Sequence, residues 1–313
     1  METKFHEGEL KIQQKTGESY TANANRELIL NSVFKGAFVF IERQINVLCS
    51  TIDSELQVWV SLVTGTPGFV EVVNPYLISI DLNLVTSDTQ DLLYSNISEQ
   101  SPIGILFIEF STRRRYRVNG ISSINKQTID INVEEAYPNC PKYIQQRIAH
   151  NEDVSIKPGS ERTTGKYFNE QVKNMLLKAD TLFIGSQSKE GRMDVSHRGG
   201  KPGFVELIDN ENIRIPDYKG NSLFNTWGNL LQNVNSGLLF IDFEKRIVLQ
   251  MTGKSELLLN QNSQVDMDKS GGTGRFLAFK VSSWIITTNQ HSINWELIDY
   301  SHFNPEGHFA VNK

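Results

Sequence analysis

Apolar residues along this chain fall in short runs or in strict alternation, rich in Val, Ile, Leu and Phe, with Gly, Asn, Asp and Pro between them. Alternate side chains of a strand point to opposite faces of a sheet, so this pattern predicts β-structure. The strands expected are 45–49, 58–62, 68–73, 77–82, 103–110 and 115–121, and then 181–185, 204–208, 212–215, 236–243 and 248–258. Helical spacing is scarcer. Phe168, Val172, Met175, Leu176 and Ala179 share one face of a helix predicted over 166–179. A less regular pattern places a matching helix within 26–43. A third helix is expected from Asn139, as N-cap, with Pro141 in its first turn. Segment 289–313 is expected to hold a last strand and then a surface strap. Many strands with few helices between them predict a mainly β chain with a few helices (α+β), built of antiparallel barrels.

The pattern occurs twice. Residues 60–71 read VSLVTGTPGFVE, and 135 positions later 195–206 read VSHRGGKPGFVE. The same offset aligns 48–61 with 183–196. GILFIEF at 104–110 then matches GLLFIDF at 237–243, and Arg117-Val118-Asn119-Gly120 falls against Gln250-Met251-Thr252-Gly253. A period this long is a duplicated domain, not a solenoid of short repeats. The expected division is one copy over 1–150, a polar linker over 151–164 containing Pro158-Gly159-Ser160, and a second copy with a C-terminal strap over 165–313. Two copies in one chain predict a covalent pseudo-dimer whose shared site is free to become asymmetric.

Bulk properties narrow the function. The 313 residues suffice for two domains with real cores. A net charge of −5 argues against generic nucleic-acid binding. No apolar run is long enough for a bilayer, and the first residues lack the apolar core of a signal peptide. Cys49 and Cys140 have neither metal nor redox spacing, the six histidines lack zinc spacing, and no metal site is expected. A reducing, cytoplasmic setting fits.

Three segments carry candidate chemistry. Ser196-His197-Arg198-Gly199-Gly200-Lys201 combines hydroxyl, imidazole and cationic groups with glycines that let backbone N–H groups approach a ligand. The first copy keeps Gly65, Pro67, Gly68 and Phe69 of the turn but has Leu62 and Val63 in place of His197 and Arg198, so the turn does not need the charges. Lys219, Asn221, Ser222, Asn225 and Thr226 follow a strand, and a helix beginning near Ser222 would aim its positive end at an anion. Arg113, Arg115 and Arg117, in RRRYR, share one face of a strand among core-like neighbours, so at least one is expected to meet a phosphate or carboxylate.

The motifs DVSHRGGKPGFVE at 194–206, IPDYKGNSLFNT at 215–226, LLFIDF at 238–243, RRRYRVNG at 113–120 and PNCPKYIQ at 138–145 resemble the FMN-binding split-barrel proteins related to pyridoxamine 5′-phosphate oxidase, in their tandem branch. YSHFNP at 300–305 is similar to that branch's ending, so the resemblance covers nearly the whole chain. It implies two tandem split β-barrels forming an intrachain pseudo-dimer, with FMN between them. It implies phosphate contacts from Lys219, Asn221, Ser222, Asn225 and Thr226, and places Ser196, His197, Arg198, Gly200 and Lys201 beside the flavin. Gln250 falls where the family often touches the ring, and Arg113, Arg115 and Arg117 would reach across from the first copy. The first copy has Leu84-Val85-Thr86-Ser87-Asp88-Thr89 in place of the phosphate segment, so one FMN per chain is expected. The family's vitamin B6 signature is not evident, and that substrate is not carried over.

The implied activity is a flavin-dependent oxidoreductase of unknown substrate, with a nicotinamide nucleotide or small organic molecule as donor. His197 is the candidate for a catalytic role, at an ordinary pKa near ~6.5. The alternatives are a flavin-binding or electron-carrier module without turnover, a split barrel that binds haem through His6, His150 or His302, or a structural protein whose site has decayed. Association of the chain into a homodimer is left open.

Overall fold

The computed structural model describes residues 4–151 and 160–306. Its first sheet contains β1 (Asn46–Ile52), β2 (Val58–Thr64), β3 (Val70–Asn74), β4 (Leu77–Asp81), β5 (Ser101–Glu109), β6 (Arg114–Ile124) and β7 (Thr128–Asn139), in the order β2-β1-β5-β6-β7-β4-β3. After β8 (Gln146–Asn151) and β9 (Glu161–Gly165) comes the second set: β10 (Thr181–Gln187), β11 (Met193–Gly199), β12 (Glu206–Leu207), β13 (Asn212–Pro216), β14 (Asn235–Asp242), β15 (Ile247–Leu258) and β16 (Phe276–Thr288). Their order is β11-β10-β14-β15-β16-β13-β12, with β9 added on β16. Every strand of the first path thus has its counterpart nine strands later. All these pairings are antiparallel, as expected for two tandem split barrels.

Alternation explains how the barrels meet. In β1, Val47 and Cys49 enter the first barrel's core, while Leu48 faces the other way. In β10, Leu182 and Ile184 enter the second core and Phe183 faces away. Leu48, Val60, Leu62 and Leu106 therefore join Phe183, Val195 and Leu239 in a third cluster between the copies. Strands buried on both faces read as continuous apolar runs, and β2 is buried at every position. The matched glycines of the repeat make this approach possible. A Cβ on Gly104 would stand 2.7 Å from the Asp194 Cα, and one on Gly237 would stand 2.5 Å from the Val58 carbonyl oxygen.

Polar contacts follow the same pseudo-two-fold. Arg117 Nη2 of β6 donates to the Val195 carbonyl at 2.9 Å and to Ser196 Oγ. Its counterpart on β15, Gln250 Nε2, donates to the Val60 carbonyl at 2.9 Å and to Ser61 Oγ at 3.2 Å. A final strand, β17 (Ile293–Asp299), pairs with β8 and ties the end of each copy to the other.

The helices are α1 (Glu7–Lys15), α2 (Ser19–Asn25), α3 (Phe38–Glu42), α4 (Leu92–Asn96), α5 (Glu170–Lys178), α6 (Asn225–Gln232) and α7 (Gln264–Lys269). The helix expected over 166–179 is α5, capped by Asn169. That expected within 26–43 shrinks to 3-10 turns and the five residues of α3, because Leu30 instead exchanges backbone hydrogen bonds with Ala136. No helix follows Asn139: Tyr143 turns the chain with φ of 67°, Ile144 enters the core between the copies, and β8 takes its hydrogen bonds from β17. Part of the expected linker, 152–159, lies outside the described residues, while Glu161–Gly165 forms β9. α1 and α2 were not foreseen; α1 packs on α6 of the second copy, and Ala22 of α2 is buried in one cluster with Leu223 of the second copy and Tyr137 of the first. Gly8 of α1 abuts the Gly228 carbonyl of α6, and Gln13 Nε2 donates to the Leu223 carbonyl at 3.1 Å.

Candidate cofactor site

A cavity lies where β6 of the first copy meets β11 and the start of α6 of the second. Five basic side chains line it, Arg115, Arg117, Lys142, Arg198 and Arg275, against one carboxylate, Asp217. Such a balance selects an anion. Ser196, His197, Asn221, Ser222, Asn225 and Thr226 complete the polar wall.

Sequence places α6 with its N-terminus open. Its N-cap is Phe224 in the left-handed region at φ 59°, and no side chain caps the helix. Free N–H groups and the positive end of the helix dipole therefore face the cavity. In the first copy the matching helix, α4, is capped by Asp91, which accepts from the Leu93 N–H at 2.9 Å and from Ser61 Oγ. A built-in carboxylate thus sits where the second copy leaves room for a foreign anion. Around it, Arg162 pairs with Asp88 at 2.7 Å and Gln290 Nε2 donates to the Leu62 carbonyl at 2.7 Å.

The floor is a closed network. Arg117 Nη1 donates to Tyr137 Oη at 2.9 Å and Asn225 Oδ1 at 2.7 Å, and stands 3.4 Å from Asp194 Oδ2. Thr226 Oγ1 donates to Asp194 at 3.0 Å, and Asn229 Nδ2 reaches the same carboxylate at 3.2 Å. Burial disfavours the charge on Arg117, but Tyr137 and Asp194 more than restore it, and its pKa is raised. The rim is held by Arg275, which pairs with Asp217 at 2.9 Å and Glu18 at 2.5 Å, and by Arg198, 3.6 Å from Asp217.

Arg115 is different. Its Nε donates to the Cys140 carbonyl at 2.7 Å and its Nη1 to the His197 carbonyl at 3.4 Å, and no carboxylate pairs with it among the described residues. Burial, with Arg198 and Arg117 nearby, lowers its pKa to about 9. An arginine keeps its proton, so that shift marks a cation short of counter-charge. His197 departs from the expectation of an ordinary pKa. It is buried edge-on against Phe183, 5.6 Å between ring centroids, and both ring nitrogens are buried without partners. Burial and then Arg115, Arg198 and Arg147 push its pKa well down, so the imidazole is neutral.

Nine of the predicted site residues line this cavity: Arg115, Arg117, Ser196, His197, Arg198, Asn221, Ser222, Asn225 and Thr226. Five are placed elsewhere. Gly200 lies under the turn, where a Cβ would stand 2.6 Å from Phe204, just as Gly65 meets Phe69 in the first copy. Lys201 and Lys219 point to solvent. Gln250 is spent on the contact with β2. Arg113 leaves the strand at φ 55° and pairs with Asp299 at 3.2 Å. Sequence reasoning missed Arg275, Tyr137, Tyr143, Tyr218 and Glu18. A buried arginine following Gly271-Gly272-Thr273-Gly274 was the one signal available for Arg275.

The donor set fits a phosphorylated ligand, with unpartnered buried atoms at His197, Arg117 Nε and Tyr218 Oη still to be met. The free volume is about 90 Å³, against roughly 300–1,000 Å³ for sites that enclose drug-sized ligands. A whole flavin therefore requires the walls to part. Tyr143 of the first copy and Tyr218 of the second, 4.9 Å apart, close the cavity, and Tyr143, Ser222 and Phe224 all hold left-handed backbone.

No family model matches the chain, and no curated protein matches it. Solved structures similar to it include members of the pyridoxamine 5′-phosphate oxidase family and FMN-binding proteins. One is a pyridoxamine 5′-phosphate oxidase-related, FMN-binding protein of Nostoc punctiforme (12% identity, 40% of this chain and 90% of that one, TM-score 0.26). Another is a protein of Clostridium acetobutylicum related to general stress protein 26, of the pyridoxinephosphate oxidase family (11%, 41% and 92%, 0.30). A third is the heme storage protein HutZ of Vibrio cholerae (14%, 43% and 96%, 0.26). What the cavity can hold is set by its own residues.

Proposed function

We propose that this chain is an FMN-binding flavoprotein, one flavin per chain, acting as a flavin-dependent oxidoreductase. The observation that carries the reading is the uncapped N-terminus of α6, opening into a cavity with five cationic side chains and one carboxylate. The α6 N–H groups and the Asn221 amide would hold the phosphate, with Arg198 and Arg275 supplying charge, while the Ser222 and Thr226 hydroxyls are held by Glu18 and Asp194. Bound FMN would supply two-electron chemistry, accepting hydride from a nicotinamide nucleotide or small organic donor. Arg115, lacking a carboxylate, would favour negative charge on the ring. His197, neutral, offers hydrogen bonds and is not a store of protons at neutral pH. The single-flavin stoichiometry is supported by Asp91, which fills the equivalent anion position of the first copy.

A haem would need an axial ligand. Of the expected histidines, His6 caps α1, His150 pairs with Glu296 at 2.9 Å, and His302 stacks beside Phe303, all outside the cavity lining, while His197, which does line it, is buried edge-on against Phe183. The visible spectrum of the purified chain, followed by identification of the released ligand, tests the reading. Flavin bands with FMN released at one equivalent are expected. A Soret band, or a colourless chain that refuses added FMN, overturns it.

A further inference from the structure

A second concavity adjoins the first and has the opposite character. It has a volume of about 520 Å³, and its walls include Leu28, Leu30, Phe34, Phe40, Tyr116 and Pro138. Phe34 is 61% exposed, Leu28 47% and Leu30 38%, so apolar surface is concentrated at one place instead of scattered. The walls are fixed before any ligand arrives. The Phe34 N–H donates to Tyr116 Oη at 3.1 Å, and Leu30 is bonded both ways to Ala136.

The groove is also cationic. Arg113, Arg114 and Arg115 line it with Glu27 as the one lining carboxylate; Glu27 is already held by Lys4 at 3.3 Å and Arg26 at 3.1 Å, and Arg113 by Asp299 at 3.2 Å. Arg114 pairs with no carboxylate among the described residues. Its guanidinium lies over the Phe40 ring, 5.0 Å from the centroid, which extends an aromatic floor with a flat cation. Apolar walls around a flat cation complement a flat, apolar, negatively charged guest.

We propose that this groove binds a small planar aromatic acid, its ring against the exposed Phe34, Leu28 and Leu30 and its carboxylate on Arg114. The site goes beyond the flavin reading and does not rest on it, although Arg115 and Asn139 line both concavities and so set the two guests side by side. Sequence alone offers no pointer to it, because its apolar walls come from segments around positions 30 and 138 that meet only in the fold.

The test is calorimetry on the full chain with 2-naphthoate and with its neutral analogue 2-naphthylmethanol. Naphthoate is expected to bind one site per chain, with the alcohol at least about ten-fold weaker. Phe34→Ser and Arg114→Gln are each expected to weaken naphthoate at least about ten-fold, with Arg114→Lys recovering part of the loss. Phe34 and Arg114 are exposed, so these variants are expected to fold, and unchanged thermal melting checks it. Excess inorganic phosphate, which belongs to the polar cavity, should leave naphthoate bound. No naphthoate binding, equal affinity for acid and alcohol, indifference to both substitutions, or displacement by phosphate would each overturn the proposal. FMN content in the same variants is expected to match the unsubstituted chain.

Discussion

Arg115 meets its buried surroundings with two carbonyl oxygens and no carboxylate. A charge-assisted hydrogen bond contributes about 1.5–3 kcal/mol, so Arg115→Gln should weaken FMN roughly 30-fold, as read by equilibrium dialysis of the released apoprotein. If affinity is unchanged, the ring lies away from this side chain. Glu9 gives a prediction of a different kind. Burial raises its pKa to about 7, against hydrogen bonds from Asn225 and the His6 N–H that lower it. A carboxyl whose pKa is higher folded than unfolded binds its proton more tightly in the native state, so its contribution to stability falls as pH rises from about 4.5 to about 7. Glu9→Gln should therefore gain melting temperature over the unsubstituted chain at pH 8 and lose that gain at pH 4. An identical difference at both values would show that Glu9 is not titrating in this window.

At the scale of elements, most strands of the two barrels were legible, and so was α6, expected near Ser222 and beginning at Asn225, whereas β7, β8, β9 and β16 fell outside the expected strands and α1 and α2 outside the expected helices. β1, β2, β5 and β10 declare themselves through alternation that serves two cores at once. α1 does not: what it buries is Gly8, Glu9, Ile12 and Gln13, a face with one large apolar residue, so no hydrophobic period marks it. Its purpose appears only when α6 is beside it. The same reason hid part of the cavity. Arg275 and Glu18 are far apart in sequence and became partners through α2 and the turn after α7, whereas the Ser196 to Arg198 motif was local and readable. Gly8→Val tests the contact. A Cβ there would stand 2.2 Å from the Gly228 carbonyl oxygen, and overpacking of this kind costs about 1–3 kcal/mol. The expected result is faster proteolysis within the first 25 residues together with weaker FMN retention, because α1 braces the helix whose N-terminus faces the phosphate. Intact retention would make α1 a bystander.

Across the whole molecule, the two copies share a core and a pair of mirrored contacts, Arg117 to Val195 and Gln250 to Val60, yet only one of the two equivalent positions is open to an anion. Gly237→Val should separate the copies, since even the first added carbon meets the Val58 backbone. The loss of unfolding free energy in urea is expected to be at least about 1–3 kcal/mol. A loss near zero would mean that the sheets slide freely past one another. The repeat in the sequence announced two barrels, and the absence of the phosphate segment at 84–89 already set the first copy apart; what the sequence did not show is the role of Asp91, an N-cap that reads as ordinary until α4 and α6 are superposed by topology.

The β8–β17 ribbon, which fastens the end of each copy to the other, has a kinetic consequence. Two barrels on separate chains would have to find each other by diffusion, and their assembly would slow and reverse on dilution. Here the partner is tethered at an effective concentration on the order of millimolar, whatever the amount of protein in solution. Closing so long a stretch of chain places the ribbon late in folding, as a first-order step. Refolding should thus proceed at one rate across a hundred-fold range of protein concentration, and dilution that would empty a two-chain version of its shared site should leave this one intact.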